Sequence, residues 1–298
     1  MRFAGELAAL GTALCYAIGF NLFASAGRKM GAVVLNRLRI VCAMIFLTLA
    51  LLVTHGSPWP VWATSNQVGL LTLSGWIGFV FGDTWTFRSL VILGPGRAAM
   101  LSSLAPIFTA LIAWPVLHEV PGPLAALGMA MTLGGVSWVL WERRSQQFDP
   151  IQGSVARGTL AGVLGALGQA AGYVISKLAL RTGIDALSAT VIRVVAAFVG
   201  LLVITIMRRE IRTTVAALRD RTAARFMVAG SLFGPFLGVT LSLAALQFIQ
   251  AGIAASITAF QPVFTILIAS RFHREPLTWR FVAGALVASA GVVVLFLK

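Results

Sequence analysis

Apolar residues run along this chain in long blocks, separated by short groups of Gly, Pro and charged residues. Ten such blocks follow one another, at about 4–25, 32–54, 67–91, 95–117, 122–141, 158–178, 186–207, 226–248, 251–271 and 277–297. A helix needs about 20 apolar residues to cross the hydrocarbon of a bilayer. The pattern therefore predicts ten transmembrane helices with tight connections, in an all-α polytopic membrane protein. Only 142–157 and 208–225 are long enough to form real loops.

The pattern also repeats. Residues 5–30 align with 158–183, pairing Gly5 with Gly158, Leu7 with Leu160, Gly19 with Gly172 and Arg28 with Arg181, and Arg39 then matches Arg193. Farther on, an offset of 156 pairs Gly78 with Gly234, Gly82 with Gly238, Gly96 with Gly252, Pro106 with Pro262, Phe108 with Phe264, Thr109 with Thr265, Glu119 with Glu275 and Gly135 with Gly291. The first block, with Arg2 before it and Ala24, Ser25 and Ala26 at its end, has the outline of a signal peptide. Its partner deep inside the chain marks it as structural instead. The expected halves are residues 1–150 and 151–298, with five helices each. An odd number of crossings makes the second half enter the bilayer from the opposite face, so the repeats are inverted. Inverted repeats are a signature of transporters, with the substrate site near the midplane where the halves meet.

Composition agrees. Of the 298 residues 58% are hydrophobic and 11% charged, with a mean hydropathy of +0.92, against about 45–50% apolar and about 25% charged in soluble domains. That excludes an ordinary cytosolic enzyme and any long disordered region. The net charge of +14 comes from short loops and includes no nucleic-acid motif, so membrane lipid is the expected partner and nucleic acid is not. Of the 23 Lys and Arg, 18 sit in the loops between odd-numbered blocks and their successors. Five sit on the other side: Arg2, Lys177, Arg181, Arg193 and Lys298. By the positive-inside rule both termini face away from the cytoplasm. Cys15 and Cys42 lie inside apolar blocks, and nothing suggests a disulfide.

Gly96, Pro106, Phe108, Thr109 and Glu119 in the first half, and Gly252, Pro262, Phe264, Thr265 and Glu275 in the second, form one motif twice over. In this the chain resembles the EamA-type transporters of the drug/metabolite transporter superfamily over essentially its whole length. Within them it is most similar to bacterial aromatic amino acid exporters. The resemblance implies a basket of helices around a central cavity. The first, third, fourth, sixth, eighth and ninth helices would line it, and the fifth and tenth would be peripheral.

Ionisable groups inside a span are expensive, and each is a candidate for function. Asp83 shares a helical face with Trp76, Phe79 and Phe87. It suits a substrate ammonium with rings beside it, or else a surface pair with Arg88. Gln169, Tyr173 and Ser176 share a face of the sixth block, where Lys177 lies near the helix end and is read as snorkelling to the interface. Tyr16, Phe20 and Phe23 form a face of the first block, either lining a cavity or packing on neighbours. The chain's two tyrosines, Tyr16 and Tyr173, fall on corresponding helices. Pro106 and Pro262 read as mid-helix kinks, with hydroxyl and amide groups such as Ser102, Thr258 and Gln261 nearby to satisfy the freed backbone. Gly234, Pro235 and Gly238 allow bending or close helix contact. Glu119 and Glu275 each precede a helix that begins near a proline, which complements the helix dipole. Trp59, Trp62, Trp138, Trp141 and Trp279 read as interfacial anchors. His55, His118 and His273 have no metal-ligand spacing, and there is no Walker A loop or catalytic triad. No cofactor, metal or enzyme chemistry is expected.

The reading is a secondary transporter of the bacterial inner membrane that exports amino acids and related small metabolites, aromatic and hydrophobic ones first, by alternating access. Its rivals are an exporter of drug-like compounds or sugars on the same fold, a membrane-embedded lipid-processing enzyme and a passive channel. Two internal halves make a monomer sufficient for one pathway and leave homo-oligomers open.

Overall fold

The computed structural model describes residues 3–93, 98, 101–144, 154–273 and 278–297, and among these there are helices and turns but no strands. The boundary expected at residue 150 lies outside the described residues. In the first half α1 (Ala4–Met30) passes to α2 (Ala32–His55) through Gly31 alone, whose φ of 80° suits a residue without a Cβ. There follow α3 (Ser65–Gly75), a π-helical turn at Trp76–Gly82, α4 (Asp83–Leu93), α5 (Ala105–Leu117) and α6 (Pro123–Arg144). The second half has α7 (Val155–Leu180), α8 (Ala186–Met207), the short α9 (Ile211–Ala216) and α10 (Arg221–Ser231). A second π-helical turn at Leu232–Gly238 leads to α11 (Val239–Phe248), α12 (Ala251–Thr258), α13 (Gln261–His273) and α14 (Trp279–Phe296). Six helices are long and apolar enough to cross a membrane among the described residues, and shorter apolar helices occupy other blocks of the pattern.

Local sequence explains the starts. Thr64 and Gln67 form a reciprocal capping box at α3. Asp185, Asp220 and Thr278 cap α8, α10 and α14 by accepting from the backbone N–H three residues on.

The two π-helical turns lie 156 positions apart, at the offset of the internal repeat. Pro235 lies in the second turn, but the corresponding residue of the first is Phe79, so proline is not their common cause. What they share is a glycine pair, Gly78 and Gly82 against Gly234 and Gly238. These glycines bring backbones together across the halves. A Cβ on Gly172 would lie 3.0 Å from the Gly78 Cα, and one on Gly19 would lie 3.2 Å from the Gly234 Cα. Gly234 thus meets the α1 backbone as Gly78 meets that of α7, while Gly238 lies against the Tyr16 ring.

The contacts between spans survive exchange of the halves. α1 packs on α10, α11, α12 and α13, while α7 packs on α3, α4 and α5. α2 touches the second π-helical turn, and α8 touches the first. The pairs α2–α8, α5–α12 and α6–α14 join corresponding spans. This is the pattern a two-fold relation between the repeats produces. The buried apolar core draws on both halves, from α2 and α6 as well as α7, α8, α11 and α12.

The fourth and ninth spans differ from expectation. Each is broken by a turn, at 103–104 and at 259–260, and restarts as α5 or α13 with Pro106 or Pro262 in the second position. Proline there removes an N–H that has no partner in any case, so the chain breaks and restarts instead of bending one continuous helix. α6 and α14 cross on small residues: a Cβ on Gly135 would lie 2.4 Å from the Ala288 nitrogen, and one on Gly291 would lie 2.4 Å from the Thr132 nitrogen. The basic segment 208–225 is tied to the ends of α1 and α2 by Arg37 with Glu210 and by Lys29 with Asp220 at 3.1 Å.

Candidate functional site

Asp83 opens α4 directly after the first π-helical turn, and the residue is 9% exposed. It forms an ion pair with Arg39 of α2 and accepts a hydrogen bond from the Gln169 amide of α7. Gln169 donates again to the Gly78 carbonyl at 3.1 Å, inside the π-helical turn. Arg39 also donates to the Asn36 side chain at 2.8 Å and lies 5.7 Å from the Phe23 ring and 5.4 Å from the Phe87 ring. Arg88, the basic residue nearest in sequence, lies over Trp85 instead. The knot joins three spans from both halves.

Beside it the two tyrosines converge on α11. Tyr173 donates to the Ser242 carbonyl at 3.1 Å, and the Tyr16 hydroxyl interacts with the Ser242 side chain. The Tyr16 ring lies where a Cβ on Gly238 would stand. Ser176 is fully buried, 2.7 Å from the Ser74 hydroxyl and 2.8 Å from the Gly172 carbonyl, so it ties α7 to α3. Phe79 is buried, whereas Trp76 is 49% exposed and anchored through its indole N–H to the Ala196 carbonyl at 2.9 Å. Phe20 is 42% exposed, and Phe23, one turn on, packs against Gly230 and Gly234. Gln261 opens α13, and its carbonyl accepts from the Thr265 hydroxyl at 3.0 Å.

Two matching halves of membrane-spanning helices are also what comparison with known proteins finds. The model of the EamA-like transporter family matches residues 3–141 and again 156–297. The chain belongs to this family. A solved structure described as "Crystal structure of protein" aligns over 100% of this chain and 98% of its own, with TM-score 0.72 and 16% identity; that likeness bears on the fold. No curated protein matches the chain. EamA-like proteins are multi-span membrane transporters of the drug/metabolite type and not enzymes, which implies a small-molecule substrate and a membrane lipid setting for this one.

Two features of this EamA-like protein escape the sequence reading. Lys177 does not snorkel: it is buried, pairs with Glu119 at 2.7 Å and donates to the Ile249 carbonyl. Glu119 does complement a helix N-terminus, but that of α12 in the other half, accepting from the Ala251 N–H at 2.7 Å. Arg181 reaches the same carboxylate at 2.8 Å. These residues border an open recess of about 440 Å³ between the ends of α7 and α11. The repeat partner Glu275 lies outside the described residues.

The second is Arg193. The charge count assigns it only to the side away from the cytoplasm, but it lies within α8, 4% exposed, with its guanidinium 4.8 Å from the Phe79 ring. Among the described residues no carboxylate lies within ion-pair distance of it, and its Nε has no hydrogen-bond partner. The available signal was the match of Arg193 to Arg39. Among the described residues no cluster of His, Cys, Asp or Glu is arranged to hold a metal ion.

Proposed function

We propose that this EamA-like protein is a secondary transporter of the bacterial inner membrane that exports amino acids and related metabolites by alternating access. Aromatic and large hydrophobic amino acids are its leading substrates, as for the aromatic amino acid exporters it resembles. The observation that carries the reading is the meeting of Tyr16, Tyr173, Asp83 and Gln169, with Phe79 beside them, between the two halves. A buried polar group in a membrane costs free energy that apolar contacts alone would not. Its placement among rings suits a ligand with one polar and one apolar end.

In this reading Tyr16, Phe20, Trp76 and Phe79 receive the side chain, and Asp83, Gln169, Tyr173, Ser176 and Gln261 orient the polar end. Asp83 acts together with Arg39, whose ion pair any substrate ammonium has to share. The halves, 1–150 and 151–298, move about the breaks before Pro106 and Pro262 and the π-helical turn holding Gly234, Pro235 and Gly238. Both termini face away from the cytoplasm.

Counterflow of radiolabelled Phe, Trp, Thr and Glu in proteoliposomes, with and without a pH gradient, tests the reading. Saturable Phe or Trp counterflow is the expected result. Its absence for all four, with flux of a lipophilic cation or a sugar, would move the function to those substrates.

A further inference from the structure

We propose that Arg193 holds the anionic end of the substrate, a carboxylate on an apolar body, and that the protein therefore selects carboxylates over cations of the same shape. The inference rests on the transport reading above.

The internal repeat carries the argument. Arg39 and Arg193 occupy corresponding helices, α2 and α8. Arg39 has its carboxylate in Asp83, but 156 positions on from Asp83 stands Val239. The second half thus repeats the cation without the anion. An unpaired charge buried among apolar groups is strongly unfavourable even after relaxation, and an ionisable group within a span is a candidate for function by default.

The surroundings of Arg193 are built to hold it. Phe79 covers the guanidinium, and Gly78 makes room for it, since a Cβ there would lie 3.2 Å from Nη2. Asp83, Tyr16 and Tyr173 all lie within its electrostatic reach, yet the Asp83 carboxylate is taken by Arg39. Arg39, Asp83 and Arg193 together leave one uncompensated positive charge in the cluster. A monocarboxylate neutralises it, whereas a cation doubles it. The planar guanidinium matches a carboxylate in a way lysine does not, and aromatic rings stand ready for the apolar body.

The test uses the full chain in proteoliposomes with three probes of one shape: L-phenylalanine, 3-phenylpropanoate and L-phenylalaninamide. The wild type is expected to carry 3-phenylpropanoate and to discriminate against the amide. Arg193→Gln should lose carboxylate transport by at least about tenfold, the scale of one charge-assisted contact, and Arg193→Lys should keep part of it. The Tm of Arg193→Gln should equal or exceed that of the wild type, because an unpaired buried charge has gone. Unchanged carboxylate transport in Arg193→Gln would overturn the proposal, as would a lowered Tm with transport per folded molecule intact. Transport of 3-phenylpropanoate but not phenylalanine, dependent on Arg193, would leave the proposal standing and end the amino acid reading. Phenylalanine transport indifferent to Arg193 would do the reverse. Preference for the amide over both carboxylates would overturn both.

Discussion

At the scale of single residues, the ion pair of Asp83 with Arg39 is the most consequential contact. Burying two charges gives little net stability, but removing one partner strands the other and costs about 3–5 kcal/mol. Asp83→Asn should therefore lower the thermal stability of the purified protein strongly, and Asp83→Asn with Arg39→Met should recover much of the loss. Equal losses in the single and double variants would refute the coupling. Asp83 was legible as an intramembrane acid, yet its partner was not. Helical spacing reports neighbours on one helix, so the one ion-pair partner it offers is Arg88, while Arg39 comes from another span. Outside the spans, Asp220 accepts from the Ala223 N–H and pairs with Lys29, which holds its carboxyl below the usual carboxylate range. A depressed folded value means stabilisation present above the ordinary range and lost as pH falls through the lowered value. The stability difference between wild type and Asp220→Asn, measured by thermal unfolding, should be present at neutral pH and fade below about pH 4.

At the scale of elements, glycine does two different jobs. Gly135 in α6 faces the α14 backbone, and a Cβ would sit 2.4 Å from the Ala288 nitrogen. Gly134, its neighbour, faces open space. Gly135→Ala should cost about 1–3 kcal/mol, the scale of overpacking. Gly134→Ala should be neutral or gain about 0.5–1 kcal/mol from helix propensity. Thermal unfolding of the two variants checks the contrast, and equal effects would contradict the crossing. The repeat match of Gly135 with Gly291 was legible in the sequence, but which helix each glycine meets depends on tertiary contact. Pro106 and Pro262 read as kinks in the sequence because they lie inside apolar blocks. The turns before them leave no hydrophobicity signal, because turn residues inside a protein-lined span can stay apolar.

At the scale of the whole molecule, the apolar blocks and the offset of 156 already carried the architecture, since both follow from bilayer thickness and gene-scale repetition visible in one chain. The asymmetry between the halves was harder to see. Arg193 matches Arg39, yet Asp83 matches Val239, and only the packed structure gives that mismatch a location. Lys177 shows the same limit: three residues from the end of α7, its position suggests it can reach the interface, but Glu119 of the first half holds it inside.

The proposed transport path runs where the halves meet, at the tyrosines and Trp76. Saturable phenylalanine counterflow in proteoliposomes, compared among wild type, Tyr173→Ala and Trp76→Ala at equal amounts of folded protein, tests it most directly. At least about a tenfold loss is expected in Tyr173→Ala, the scale of about 1.4 kcal/mol at one contact, and a clear loss in Trp76→Ala. Wild-type counterflow retained in full by both variants would contradict it.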